Sequence, residues 1–269
     1  MQSSVRKLVV NADDFGFTCD VNRGIVEAHC RGILTATTLM AAGAFEESAF
    51  DDAVRLARET PTLDIGCHLV LVGAPPFPLT VAELIRAVAL KRIRVYDELV
   101  SQVRRIVDAG LRPTHLDTHK HTHLLPPVLD AVARISEEFQ IPWVRRPFDF
   151  PFTPEGVSLS KRAVAKAMTT VRNRSARILA GHGCRSTDHF AGFQITGRYD
   201  AASLVKLLRA LPEGSTEFMC HPGRLGDALR AAPTRLKASR EQELAALTAP
   251  EVRACLDECG IALCAYRDL

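Results

Sequence analysis

The sequence predicts an α/β protein whose parallel sheet closes, or nearly closes, into a (β/α) barrel. Two observations carry this. Strand-like and helical patterns alternate seven or eight times along 269 residues, as they do where helices pack outside a parallel sheet. Ligand-type side chains also recur at the ends of the strand-like segments. Asp13 and Asp14 follow the first, His68 lies late in the third, His119 follows a histidine-rich one, and His221 closes another. Parallel barrels carry their chemistry at the carboxyl ends of the strands, so this recurrence predicts one shared site.

The length suits one large domain spanning residues 1–269, and no repeat, low-complexity tract or long linker divides it. A hydrophobic content of 47% fits a soluble protein with a full core. The net charge of +3 is near balance and does not indicate a nucleic-acid binder. Eight cysteines contain no C-x-x-C pair and read as reduced thiols of a cytosolic protein. Leu8-Val9-Val10 is too short for a signal peptide, and no run of ~18 apolar residues occurs.

Residues 7–12 read as a short buried strand. Asp20 is placed to cap a helix reaching Arg31, with Val21, Ile25 and Ala28 at helical spacing and Gly32 as its stop. Residues 33–41 are strand-like, 46–59 helical, and 63–71 a third strand carrying His68. The prolines within 73–78 mark a loop, and Phe77 in it is a candidate apolar rim of the site. Helical patterns follow at 80–91, 96–109 and 126–139, then an extended segment at 143–146. A basic helix near 158–180 carries Lys161, Arg162, Lys166, Arg172, Arg174 and Arg177, as a solvated face or a membrane-surface patch. Residues 189–195, 217–220 and 261–266 complete the strands.

In residues 113–123, His115, Asp117, His119, His121 and His123 all occupy odd positions. Read as a strand, the run places all of them on one face, with Leu116 on the other. Imidazoles and carboxylates make a poor core and a good metal site. Adjacent side chains on extended backbone point apart, so Asp13 and Asp14 are expected to divide into one ligand and one base. An aspartate with two histidines leaves coordination positions open, as a catalytic site requires, and suits Zn, Co, Mn or Mg. His221, before Pro222, fits a general acid on the same rim, with Glu217 four residues back as its candidate orienting group. Arg145 is a candidate for binding an anionic or hydroxylated substrate group, or for a structural ion pair.

Residues 10–16 (Val-Asn-Ala-Asp-Asp-Phe-Gly), 66–69 (Gly-Cys-His-Leu), 113–123 and His221-Pro222-Gly223 together resemble the YdjC/ChbG family of carbohydrate deacetylases. The resemblance implies a distorted β/α barrel, polysaccharide-deacetylase-like, that hydrolyses an N-acetyl group from an amino sugar with one divalent ion, usually magnesium. By position, Asp14, His68 and His119 would hold the ion, Asp13 would be the base, and His221 would protonate the departing amine. The family's Asp-Ser-His is Asp117-Thr118-His119 here, which leaves both functional side chains in place. Residues 183–193 are similar to the hopanoid-biosynthesis-associated member. That implies an N-acetylglucosaminyl group on a bacteriohopane polyol and an enzyme at the inner face of the membrane. Self-association stays open. A phosphoesterase, with His121 and His123 on a second ion, and a non-enzymatic metal-binding protein are the alternatives.

Overall fold

A computed structural model describes residues 6–151 and 171–269. Its strands are β1 (Arg6–Phe15), β2 (Ala36–Leu39), β3 (Asp64–Leu69), β4 (His115–Thr118), β5 (Trp143–Val144), β6 (His189–Ala191), β7 (Gly214–Cys220) and β8 (Ile261–Leu263). The spatial order is β5-β4-β3-β2-β1-β7-β6, with β8 also on β1, and every pairing is parallel. β7 runs along Arg6–Ala12 of β1, while β8 takes Arg6–Leu8 and β2 takes the stretch from Asn11. Isolated bridges Trp143↔Arg185 and Asp149↔Phe190 link the β5 edge toward β6. The sheet therefore curls into the distorted β/α barrel that the alternation predicts.

Helices α1 (Cys19–Arg31), α2 (Ala49–Glu59), α3 (Val81–Ala89), α4 (Val95–Asp108) and α5 (Pro126–Glu138) pack outside it. Further helices occupy Arg172–Gly181, Ala201–Arg209, Asp227–Ala231, Ala238–Leu247 and Pro250–Glu258. α1 buries Val21, Ile25 and Ala28, the stripe that the spacing predicts, against a core that includes Leu8, Val10 and Ala12 of β1. Its cap is Thr18 and not Asp20. The Thr18 hydroxyl, on extended backbone, accepts the Val21 N–H at 3.2 Å, leaving Asp20 in the first turn, where it favours the helix dipole. Of the basic helix expected over 158–180, Arg172–Gly181 is seen, and residues 152–170 lie outside the described residues.

The histidine run departs most from expectation. β4 ends at Thr118, and His119–Leu124 is a 3₁₀ segment broken by left-handed backbone at Lys120 and His121, both at φ 53°. The Thr118 hydroxyl accepts the His123 N–H at 3.0 Å and pairs with His123 Nδ1 at 2.6 Å. A side chain that bonds its own downstream backbone in this way offers the chain a turn in place of a longer ladder. Only His115 and Asp117 keep the strand alternation. At the opposite end of the barrel, Tyr266 stacks on His115 at 4.0 Å and leans against Trp143.

Candidate active site

The parallel register brings the strand ends together. His68 pairs with Asp117 across β3 and β4, and Ala12 pairs with Cys220, so Asp13 and His221 leave β1 and β7 side by side. The two aspartates are not sent to opposite faces. The β1–β2 register shifts between Ala12 and Phe15, and Asp14 adopts φ 70°. This bulge turns both carboxylates into one pocket, where each is at most 5% exposed.

Asp14 Oδ1 lies 3.4 Å from His68 Nε2 and 3.4 Å from His119 Nδ1, and the two nitrogens are 3.2 Å apart. Donors bound at ~2.0–2.1 Å to one ion at angles of about 90–110° stand roughly 3.0–3.4 Å apart, so this donor set fits a divalent cation. His68 is oriented for it, because its Nδ1 meets Asp117 Oδ1 at 2.6 Å and leaves Nε2 facing the cluster. Thr38 bonds the same pair at 3.2 Å to each. Burial opposes a charge on His68, but Asp117 and Asp14 outweigh it and raise the imidazole to about 10. An ion must therefore displace a proton there. Burial would likewise raise the Asp14 carboxyl, but Arg240, His119 and His68 hold it well below the usual range. His119 is the partly exposed member and faces the Gly73 loop.

Arg145, expected at the substrate, is instead a buried hub. Its Nη1 and Nη2 hold both oxygens of Asp13 at 2.9 and 2.7 Å, Nη1 also meets Asp117 at 2.6 Å, and Nε meets Glu217 at 2.7 Å. Three carboxylates claim the guanidinium, so the ion-pair alternative describes its place and substrate binding does not. Glu217 accordingly serves Arg145 and Asn11, and not His221. The group that fixes His221 is Glu243, which accepts its backbone N–H at 2.6 Å. His221 Nε2 lies 3.8 Å from Asp13 Oδ2. Phe77 is packed into the core and does not line an open rim; Leu79, two residues on, is 60% exposed.

The remaining histidines do not build a second ion site. His123 spends Nδ1 on Thr118 and Nε2 on the Arg145 carbonyl, and His121 is packed against Phe190 and Phe193. Among the described residues, no cluster of three ligand-type side chains includes either.

Sequence reasoning missed Arg240 and Glu243. Both come from the Ala238–Leu247 helix, whose Ser-Arg-Glu-Gln-Glu reads as a solvated face. Both are 1% exposed. Arg240 Nη2 reaches Asp14 Oδ2 at 2.5 Å. No motif signal points to them.

Burial pushes His115, His123 and His221 down to about 4 from the ordinary 6.5. The unfolded chain takes up these protons below pH 6.5, whereas the folded chain resists until about 4. The stability these three histidines contribute is therefore complete above 6.5 and lost as the pH falls toward 4. His68 does not offset this loss, since its raised value affects only the range above 6.5. Urea unfolding of the metal-free protein should show a midpoint that falls steadily from pH 7 to 4.5. Each histidine contributes on the order of 3 kcal/mol at the acid end. A flat profile would contradict the burial account.

A family model described as YdjC-like protein matches residues 7–258. The chain belongs to the YdjC-like family. The matched span contains every side chain of the cluster, from Asp13 to Glu243. A carbohydrate deacetylase of Brevibacillus brevis is 34% identical over 276 residues, covering 98% of this chain and 99% of its own. One of Mus musculus is 33% identical over 303 residues, with 98% and 94% covered. A solved structure from Enterococcus faecalis V583, described as a cellobiose-phosphate cleavage protein, superposes on this YdjC-like chain with a TM-score of 0.74. Its identity is 26%, over 98% of this chain and 99% of that one.

Proposed function

We propose that this YdjC-like protein is a metal-dependent carbohydrate deacetylase, the whole chain acting as one catalytic domain. It would cleave the N-acetyl group of an N-acetylglucosamine-type sugar to give the free amine and acetate. The observation that carries the reading is the Asp14–His68–His119 donor set beside the Arg145-held Asp13 and His221 on one rim. The names of the relatives agree with it.

Asp14, His68 and His119 would hold the ion. Magnesium is implied by resemblance, and the mixed oxygen and nitrogen donors also suit zinc, cobalt or manganese. When bound, the ion supplies Lewis-acid polarisation of the acetamide carbonyl and lowers the pKa of the attacking water. The residues move the protons. Arg145 fixes the plane of the Asp13 carboxylate through both oxygens. Burial raises that carboxyl above its ordinary value against the pull of Arg145, which makes it a better base. A proton taken from water by Asp13 has His221 Nε2 as its neighbour at 3.8 Å. Burial keeps His221 neutral at rest, and its Nδ1 has no hydrogen-bond partner. The imidazole is therefore able to accept a proton and deliver one to the departing amine nitrogen as the C–N bond breaks.

We extend the reading to a hopanoid-linked N-acetylglucosamine, met by a cytosolic enzyme at the inner membrane face. Support comes from residues 183–193 and from exposed apolar side chains on the segment that follows the Gly73 loop. Leu79, Ile85 and Leu90 are 60%, 48% and 51% exposed, on the segment that continues from Gly73 beside His119. Arg86, Lys91, Arg92 and Arg94 are interspersed with them, a mix that suits an anionic lipid surface. No helix among the described residues is long and apolar enough to cross a membrane. Mass spectrometry of N-acetylated glycans and glycolipids incubated with the protein should show loss of one acetyl group, fastest on the hopanoid glycolipid. Equal rates on a soluble oligomer would remove the lipid from the proposal, and no acetyl loss on any substrate would remove the activity.

A further inference from the structure

We infer that Arg240 fixes Asp14 as a one-oxygen ligand and thereby decides which ions the site accepts, an inference that rests on the metal centre proposed above. Arg240 is buried on the Ala238–Leu247 helix. Its Nη2 takes Asp14 Oδ2 at 2.5 Å, while Oδ1 is the oxygen that faces His68 Nε2 and His119 Nδ1. The guanidinium is itself anchored, since Nε donates to the Leu236 carbonyl at 3.2 Å.

The path of this side chain is built into the fold. Gly223 donates its N–H to the Arg240 carbonyl at 3.2 Å, and a Cβ there would stand 3.1 Å from Arg240 Cδ. A Cβ on Gly24 of α1 would stand 2.4 Å from Gly223 Cα. Two glycines thus let α1, the His221-Pro222-Gly223 segment and the Arg240 stem stack closely enough for the guanidinium to reach Asp14. Gly223 has a steric task here.

With Oδ2 drawn to the buried guanidinium and Oδ1 facing the two imidazoles, the Asp14 carboxylate is disposed to offer an ion one oxygen and not both. Calcium takes six to eight oxygen ligands and commonly chelates carboxylates through both oxygens, whereas magnesium and zinc are content with one. The left-handed backbone at Asp14 also limits how far its side chain can be reoriented. Arg240 is therefore a positioning residue that excludes calcium, acting through Asp14.

The test titrates metal-stripped protein with Ca2+, Mg2+ and Zn2+ by calorimetry, without substrate. Wild type should bind Mg2+ and Zn2+ in preference to Ca2+. Arg240→Met keeps an unbranched apolar stem but removes the guanidinium and frees Oδ2, and should raise Ca2+ affinity relative to Mg2+ on the order of tenfold. Arg240→Lys, which retains a cation at Oδ2, should keep the wild-type order. An Arg240→Met protein that weakens all three ions equally would show mere structural support and overturn the inference, as would wild type that binds Ca2+ as tightly as Mg2+. If Arg240→Met does not fold, the wild-type order and Arg240→Lys still decide. Wild type that binds none of the three ions would overturn the metal centre itself, a result distinct from ions that bind without discrimination.

Discussion

Asp13→Asn is expected to lower kcat on the order of 10²–10⁴-fold while bound metal stays near the wild-type level. The substitution removes the atom that accepts a proton but leaves Asp14, His68 and His119 in place. Added metal should not rescue it. Asp14→Asn should behave in the opposite way. It removes the only anionic donor of the three, so metal affinity should fall sharply and excess ion should recover part of the activity. The contrast is informative because the two carboxylates share one pocket. Asp13 also lies near His68 and Asp117, their ligand-type atoms all being within 4.8 Å of one another. Metal analysis and kcat measured together on both variants decide the matter. The roles are reversed if Asp13→Asn loses the ion while Asp14→Asn keeps it.

Arg145→Met should cost about 3–5 kcal/mol of stability, or prevent folding. Asp13, Asp117 and Glu217 all meet this guanidinium, and each is at most 4% exposed. Their attraction in turn holds Arg145 firmly charged against the cost of burial. Without it, three carboxylates would be left buried with no counter-charge. Arg145→Lys should rescue only part, since one ammonium cannot reproduce the fork that spans Asp13 and Glu217. Urea denaturation at neutral pH measures this, and a loss under about 1 kcal/mol would contradict the hub.

That Asp14, His68 and His119 come together was legible in the recurrence of ligand types at strand ends, whereas the choice of Asp14 over Asp13 as the ligand rests on the family resemblance. Asp14, His68 and His119 are ligand types, and each follows a β-branched or apolar stretch that reads as a strand. The barrel was legible from the same alternation. What the pattern does not encode is the backbone of single residues. The bulge at Asp14 and the left-handed pair Lys120 and His121 redirect side chains that period-2 spacing sends elsewhere. Arg145 was seen but misplaced, because its three carboxylate partners come from strands far apart in sequence. Arg240 and Glu243 were invisible. A charged helix usually turns such residues to water, and only its packing against the His221-Pro222-Gly223 segment brings them to the site.

One ion on Asp14, His68 and His119 is proposed to enable acetate release. The direct test is acetate release from an N-acetylglucosamine oligomer by metal-stripped protein, repeated as a divalent ion is added stepwise. No release is expected from the stripped protein, with recovery complete at one ion per chain. Full release from the stripped protein, or recovery that requires two ions per chain, would contradict it.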